Sequence, residues 1–104
     1  MVFIETPIFS KQVIGVLTDE QYGLMQASLV ANPNAGDLIK GSGGLRKLRW
    51  ALAGRGKSGG IRVIYFWRVS ESQILMLTMY AKNVQANLTP VQVKQLAKLV
   101  EEFK

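Results

Sequence analysis

The order of local signals along this chain predicts an α+β fold in which helices pack on a small, mainly antiparallel sheet. Three observations carry that prediction. A helix start is written at Thr18, three β-rich segments follow between Leu45 and Tyr80, and Thr89-Pro90 opens a closing helix. At 104 residues the chain fits one domain, residues 1–104. A chain of this size buries somewhat over ~60% of the surface its unfolded form exposes, enough for one modest core. No internal repeat or shift of composition argues for a second domain.

Val2 to Glu5 is short and β-rich, consistent with an opening strand that Pro7 closes. Ile8 to Leu17 is ambiguous, a short helix being one reading. Thr18 begins a clear helix: Gln21 stands three residues on, as in a capping box, and Asp19 and Glu20 sit where the helix dipole favours acids. Tyr22, Met25 and Leu29 give this helix one apolar face, and Asn32-Pro33 ends it. Leu45 to Leu52 reads as a strand despite its charges, because it lies between the turn-forming segments GSGG and GRGKSGG. Ile61 to Trp67 and Ile74 to Tyr80 are rich in β-branched and other apolar residues, and the short Val69-Ser70-Glu71-Ser72 link makes them a hairpin. Thr89 as N-cap, Pro90 at the first helical position and Gln92 at the third open the last helix. Its apolar stripe is Val93, Leu96, Ala97, Val100 and Phe103.

Charge is concentrated rather than spread. Between Leu38 and Ser70 stand Lys40, Arg46, Lys47, Arg49, Arg55, Lys57, Arg62 and Arg68, with no Asp or Glu among them. That stretch alone is +8 against +6 for the whole chain, so the remainder is −2. Such segregation describes a site for an anionic partner, whereas an even spread describes only solubility.

Absent residue types narrow the chemistry. With no Cys there are no disulfides, thiolate nucleophiles or thiolate zinc sites. With no His, the usual acid–base group near neutral pH and the commonest zinc ligand are both missing. The seven carboxylates are scattered, without the closely spaced acidic motif that builds a magnesium or two-metal site, so the sequence predicts no metal and no cofactor. The opening MVFIETPIF does not read as a signal peptide, and no window approaches the ~18 apolar residues of a membrane span. A soluble cytoplasmic protein is the expectation.

Ala51 to Ser58, ALAGRGKS, formally fits a permissive phosphate-binding loop of nucleotide hydrolases. That loop works where it follows a parallel strand and opens a helix whose N-terminus cradles phosphate. Here the following residues, GGIRVIYFW, read as a strand, so the match is formal only.

If the strands on either side of that glycine-rich loop pair, Arg46, Lys47, Arg49, Arg55, Lys57 and Arg62 converge on one end of the sheet. Guanidinium groups grip phosphate oxygens bidentately, and glycines let backbone approach a ligand. Trp50, Tyr65, Trp67 and Tyr80 are near enough in sequence to stack on bases, although aromatic residues in strands are more often core. For Arg62 a structural ion pair is the alternative, and few acids are available to form it.

The segments GSGGLRKLR, GRGKSGGIRVIY and YAKN, within a likeness running from the Thr18 helix to the closing helix, closely resemble the HigB branch of the RelE-like toxins of bacterial toxin–antitoxin systems. The resemblance implies the RelE-like α+β domain and a ribosome-dependent endoribonuclease, an mRNA interferase that cuts translated messenger and stops translation. It implies the mRNA-bound ribosome and a helix-turn-helix, HigA-like antitoxin as partners. Cleavage in such an enzyme runs by attack of a ribose 2′-OH on the adjacent phosphorus, with extra negative charge on the phosphoryl oxygens in the transition state. Arg62, with Arg55 or Arg46, would stabilise that charge. Lys57, Lys82 and Tyr80 are the candidates for the acid–base pair, and a lysine crowded by cations loses its proton more easily.

The resemblance puts Arg62, in its G-x-R-hydrophobic-hydrophobic-Tyr setting, on the family's phosphate-contacting arginine. It matches Lys57 and the basic strand in residue type, and Lys82 to the basic position closing the last strand. Some relatives carry a further arginine and a tyrosine where this chain has Asn83 and Thr89, which leaves the acid–base assignment open and makes Tyr80 a substitute candidate. A non-catalytic relative that holds RNA or a protein through the same patch is the alternative from another class.

Overall fold

The computed structural model describes residues 1–52 and 60–104. Its strands are β1 (Val2–Glu5), β2 (Asp37–Leu38), β3 (Leu45–Trp50), β4 (Ile61–Arg68) and β5 (Gln73–Ala81), and its α-helices are α1 (Pro7–Val16), α2 (Asp19–Ala31) and α3 (Pro90–Phe103). The strands form one five-stranded sheet in the order β1-β5-β4-β3-β2. β1 runs parallel to β5 and every other pairing is antiparallel. The expected α+β architecture is therefore present.

The sheet is buried on both faces over its centre. Phe9, Val13, Leu17, Met25 and Leu29 from α1, α2 and their junction pack on Leu48, Val63, Tyr65 and Met76. Val100, with half-buried Leu96 and Phe103 from α3, packs on Leu45, Ile64, Phe66 and Leu75. Successive residues of β4 thus enter opposite cores, as the period-two alternation of a strand requires.

The ambiguous segment after Pro7 is a helix. Thr6 is its N-cap, accepting a bond from Phe9 N (3.0 Å), and Pro7 takes the first helical position, where its missing N–H costs nothing. The same Thr6 hydroxyl donates to Leu77 O at 2.7 Å, and Met79 N donates to Gln12 Oε1 at 2.9 Å. β1 covers β5 only as far as the Glu5–Met76 pairing, so side chains from the N-cap and the middle of α1 satisfy the edge it leaves open. Both predicted capping boxes are present, Thr18 with Gln21 and Thr89 with Gln92.

β3 stops at Trp50, two residues short of the expected strand end. β2 was not anticipated from the sequence, being only two residues long. The turn between β2 and β3 uses Gly41, Gly43 and Gly44 at φ of +71°, +74° and +112°, conformations that other residues enter only with strain. None of the described helices is long and apolar enough to cross a membrane.

Tyr65 answers one question about the aromatics. It is fully buried, its hydroxyl donates to Pro33 O (2.7 Å) and accepts from Gly36 N (2.9 Å), and burial raises its pKa. A side chain at Gly36 would stand 2.8 Å from the Tyr65 ring, so glycine is needed there for close approach. Trp50 and Trp67 are half-buried against the α1–α2 core.

Two stability changes follow. Gly23 lies inside α2, where an added Cβ meets nothing within 4 Å, so Gly23→Ala is expected to raise the unfolding free energy by about 1 kcal/mol in urea titrations. Tyr65→Phe leaves the buried Gly36 N–H without its acceptor and is expected to lower it by about 1–3 kcal/mol in the same assay.

Candidate functional site

The antiparallel register sets Arg49 directly opposite Arg62, and Arg62 opposite Tyr80. Alternation along β3 turns Lys47 and Arg49 to the side of Leu45, and along β4 turns Arg62 to the side of Ile64 and Phe66. Tyr80 packs against that same α3-side cluster. Arg49, Arg62 and Tyr80 therefore form a row across three strands on one face, at the sheet end next to the β3–β4 connection.

Like charges directly opposite each other on a sheet are destabilising. No carboxylate relieves this pair: among the described residues the only ion pair is Lys104 with Glu101 at 3.3 Å, far along the chain. Among the described residues the half-buried Arg62 makes one weak local bond, from Nη1 to Ile61 O at 3.3 Å, and Arg49 is exposed. An anion bridging the two guanidinium groups would convert repulsion into paired, charge-assisted hydrogen bonds.

Tyr80 adds a donor. Its hydroxyl is buried without a hydrogen-bond partner among the described residues. Burial raises its pKa above the ordinary 10.0, opposed by the positive charge of Arg62. At neutral pH it is therefore a protonated phenol, suited to donate a hydrogen bond and unsuited to remove a proton. An orphaned buried hydroxyl costs about 1–3 kcal/mol.

The remaining sequence candidates separate. Lys82 follows β5 directly; its backbone N–H donates to Gly60 O at 3.1 Å, which fixes it at the same sheet end, and its side chain is exposed. Lys47 lies on the same face as Arg49, with its ammonium donating to Asn87 Oδ1 at 2.8 Å. Arg46 lies on the opposite face and donates to Gly36 O (2.8 Å) and Asn34 O (3.3 Å), holding the loop that Tyr65 also holds. The expected convergence of all six cations thus does not extend to Arg46. Arg55 and Lys57 lie outside the described residues, as does most of the ALAGRGKS segment. Arg68 is at the far end of β4, donating to Gln73 Oε1 at 3.2 Å and stacking over Phe103.

Sequence reasoning missed Asn87. It lies 40 residues from Lys47 and in a loop without a motif, so no local signal joins the two. It also missed the cleft on the other side of the same sheet end, about 320 Å³, bordered by Gln12, Ile61, Met79 and Asn83.

Two comparisons with known proteins bear on the family and the fold. A family model described as the RelE toxin of the RelE/RelB toxin–antitoxin system matches residues 9–104. Among solved structures, a doubly substituted mutant of the E. coli toxin RelE in the free state superposes with a TM-score of 0.60. The two are 12% identical, over 82% of this chain and 86% of that one, which is a likeness of fold. With nearly its whole length inside the family match, and with the α+β fold to go with it, the chain belongs to the RelE toxin family.

Proposed function

We propose that this chain is a toxin of the HigB branch that cleaves messenger RNA on the translating ribosome and is held in check by a helix-turn-helix, HigA-like antitoxin. The observation that carries the reading is the opposed, acid-free Arg49–Arg62 pair beside the Tyr80 hydroxyl, which has no hydrogen-bond partner among the described residues. Family membership supplies the toxin class, and the quoted sequence motifs supply the branch.

In the proposed step the substrate's 2′-oxygen forms a bond to the neighbouring phosphorus and the P–O5′ bond breaks, leaving a 2′,3′-cyclic phosphate and a 5′-hydroxyl. Arg62 and Arg49 bind the phosphoryl oxygens as negative charge grows on them, and this preorganised contact lowers the barrier. The proton leaving the 2′-OH passes to a lysine, Lys57 or Lys82. The departing 5′-oxygen needs a proton, and the protonated Tyr80 phenol is better matched to that donating role than to the base. Lys47 and Arg55 would hold flanking phosphates, with Arg46 contributing through the loop it fixes.

Primer extension on messenger from expressing cells tests this reading. Cuts confined to translated messages are expected, together with growth arrest. Arg62→Ala should reduce cutting ~10²–10³-fold with an unchanged circular dichroism spectrum, as loss of one preorganised transition-state contact does. RNA binding that weakens with salt but never leads to cutting would identify a non-catalytic relative instead.

Tyr80→Phe separates function from stability. Deleting a hydroxyl that has no partner among the described residues is expected to leave the unfolding free energy from urea titration unchanged or raised by about 1 kcal/mol, while translated messages are cut more slowly. A fall in both would show that the hydroxyl serves the fold.

A further inference from the structure

A groove of different chemistry lies between the β2–β3 turn and the first turns of α3, about 500 Å³ in volume. Pro90, Val93, Lys94 and Ala97 stand at i, i+3, i+4 and i+7, so a single face of α3 forms one wall. Leu88 adds to the apolar lining, and Lys40 borders the groove from the turn as Lys94 does from the helix. None of these residues belongs to the Arg49–Arg62–Tyr80 row.

Both walls are already held in place. On the turn side, the buried Ser42 hydroxyl donates to Ile39 O and accepts from Leu45 N (3.0 Å), which pins the chain on either side of the turn. On the helix side, Gln85 Nε2 donates to Asn87 O (2.8 Å) and to Gln92 Oε1 (2.6 Å), tying the segment before Leu88 to the first turn of α3. A ligand entering such a groove need not order it, which keeps the cost of binding low.

The lining discriminates between anionic partners. Neither arginine nor an aromatic ring borders the groove among the described residues, so it offers no bidentate grip on phosphate and no face on which a base can stack. Aliphatic walls between two lysines match a peptide that presents aliphatic and carboxylate side chains together. Neither lysine has a carboxylate partner among the described residues, where the one ion pair is Lys104 with Glu101. Lys98, one turn beyond Lys94 and exposed, extends the positive rim, and no Asp or Glu occurs between Glu71 and Glu101. We propose that this groove docks an acidic segment of a protein partner, whose aliphatic side chains fill it while its carboxylates pair with Lys40 and Lys94. The proposal does not depend on RNA being the ligand of the arginine row.

Fluorescence anisotropy of the full chain with a labelled octapeptide of alternating Leu and Glu tests this, with alternating Ser/Glu and Leu/Lys octapeptides as controls. The Leu/Glu peptide should bind, more weakly as salt rises, and should shift the NMR methyl signals of Leu88 and Val93. Each control should bind at least ~10-fold more weakly. Lys40→Glu and Lys94→Glu, both at exposed positions, should each weaken binding ~10-fold, whereas Arg62→Ala should bind the peptide as the unchanged chain does. Equal binding of the Ser/Glu peptide, or shifts centred on Arg49 and Arg62, would reduce the effect to charge attraction and overturn the proposal. Displacement of the peptide by oligouridylate that itself shifts Leu88 and Val93 would make the groove a path for RNA and overturn it as well. So would the absence of any binding by the Leu/Glu peptide.

Discussion

β4 has to satisfy two demands that conflict. It is the central strand of the sheet and feeds both cores, pairing with β3 on one side and β5 on the other, and its middle residues from Val63 to Phe66 are buried. It also carries Arg62, whose charge must stay partly accessible. The conflict is resolved by position: the arginine sits next to the strand's first residue, where the sheet ends and the overlying helices leave room. Rotating any strand by one residue would send every side chain to the other face, so the pairings that bury Ile64 and Phe66 are the same ones that aim Arg62.

That dependence ties site geometry to remote packing. Tyr65, adjacent in β4 to residues of the opposite core, holds the Pro33–Gly36 loop through both ends of its hydroxyl, and Arg46 holds the same loop from β3. Two residues that looked like binding groups by type are thus structural ties. Both tie the 33–36 loop to the sheet, on the face opposite Arg49 and Arg62.

Local chemistry made much of the fold legible. Thr18 with Gln21 and Thr89 with Pro90 and Gln92 state their helix starts outright, because caps act over three residues. Thr6-Pro7 repeats the second of those signals, yet Pro7 reads equally well as the end of a strand, and only the structure shows it doing both. The parallel placement of β1 against β5 depends on residues about 70 positions apart, beyond the reach of periodicity. The placement of Arg62 and Lys82 at one end of the sheet was legible from their neighbours in sequence. The facing of Arg46 was not: Leu45 and Leu48 are both buried, on opposite sides of the sheet, so apolar alternation in β3 cannot say which face a neighbouring cation takes.

The bond between Lys47 and Asn87 bears on how this surface behaves in salt. It joins a charge to a neutral amide at 2.8 Å, well inside the ~8 Å over which physiological salt screens charges, and it anchors the segment leading into α3. Long-range attraction between the cationic row and a polyanion is screened much more strongly. A polyanion held on that row would therefore be released by rising ionic strength while the Lys47–Asn87 bond keeps the neighbouring loop latched.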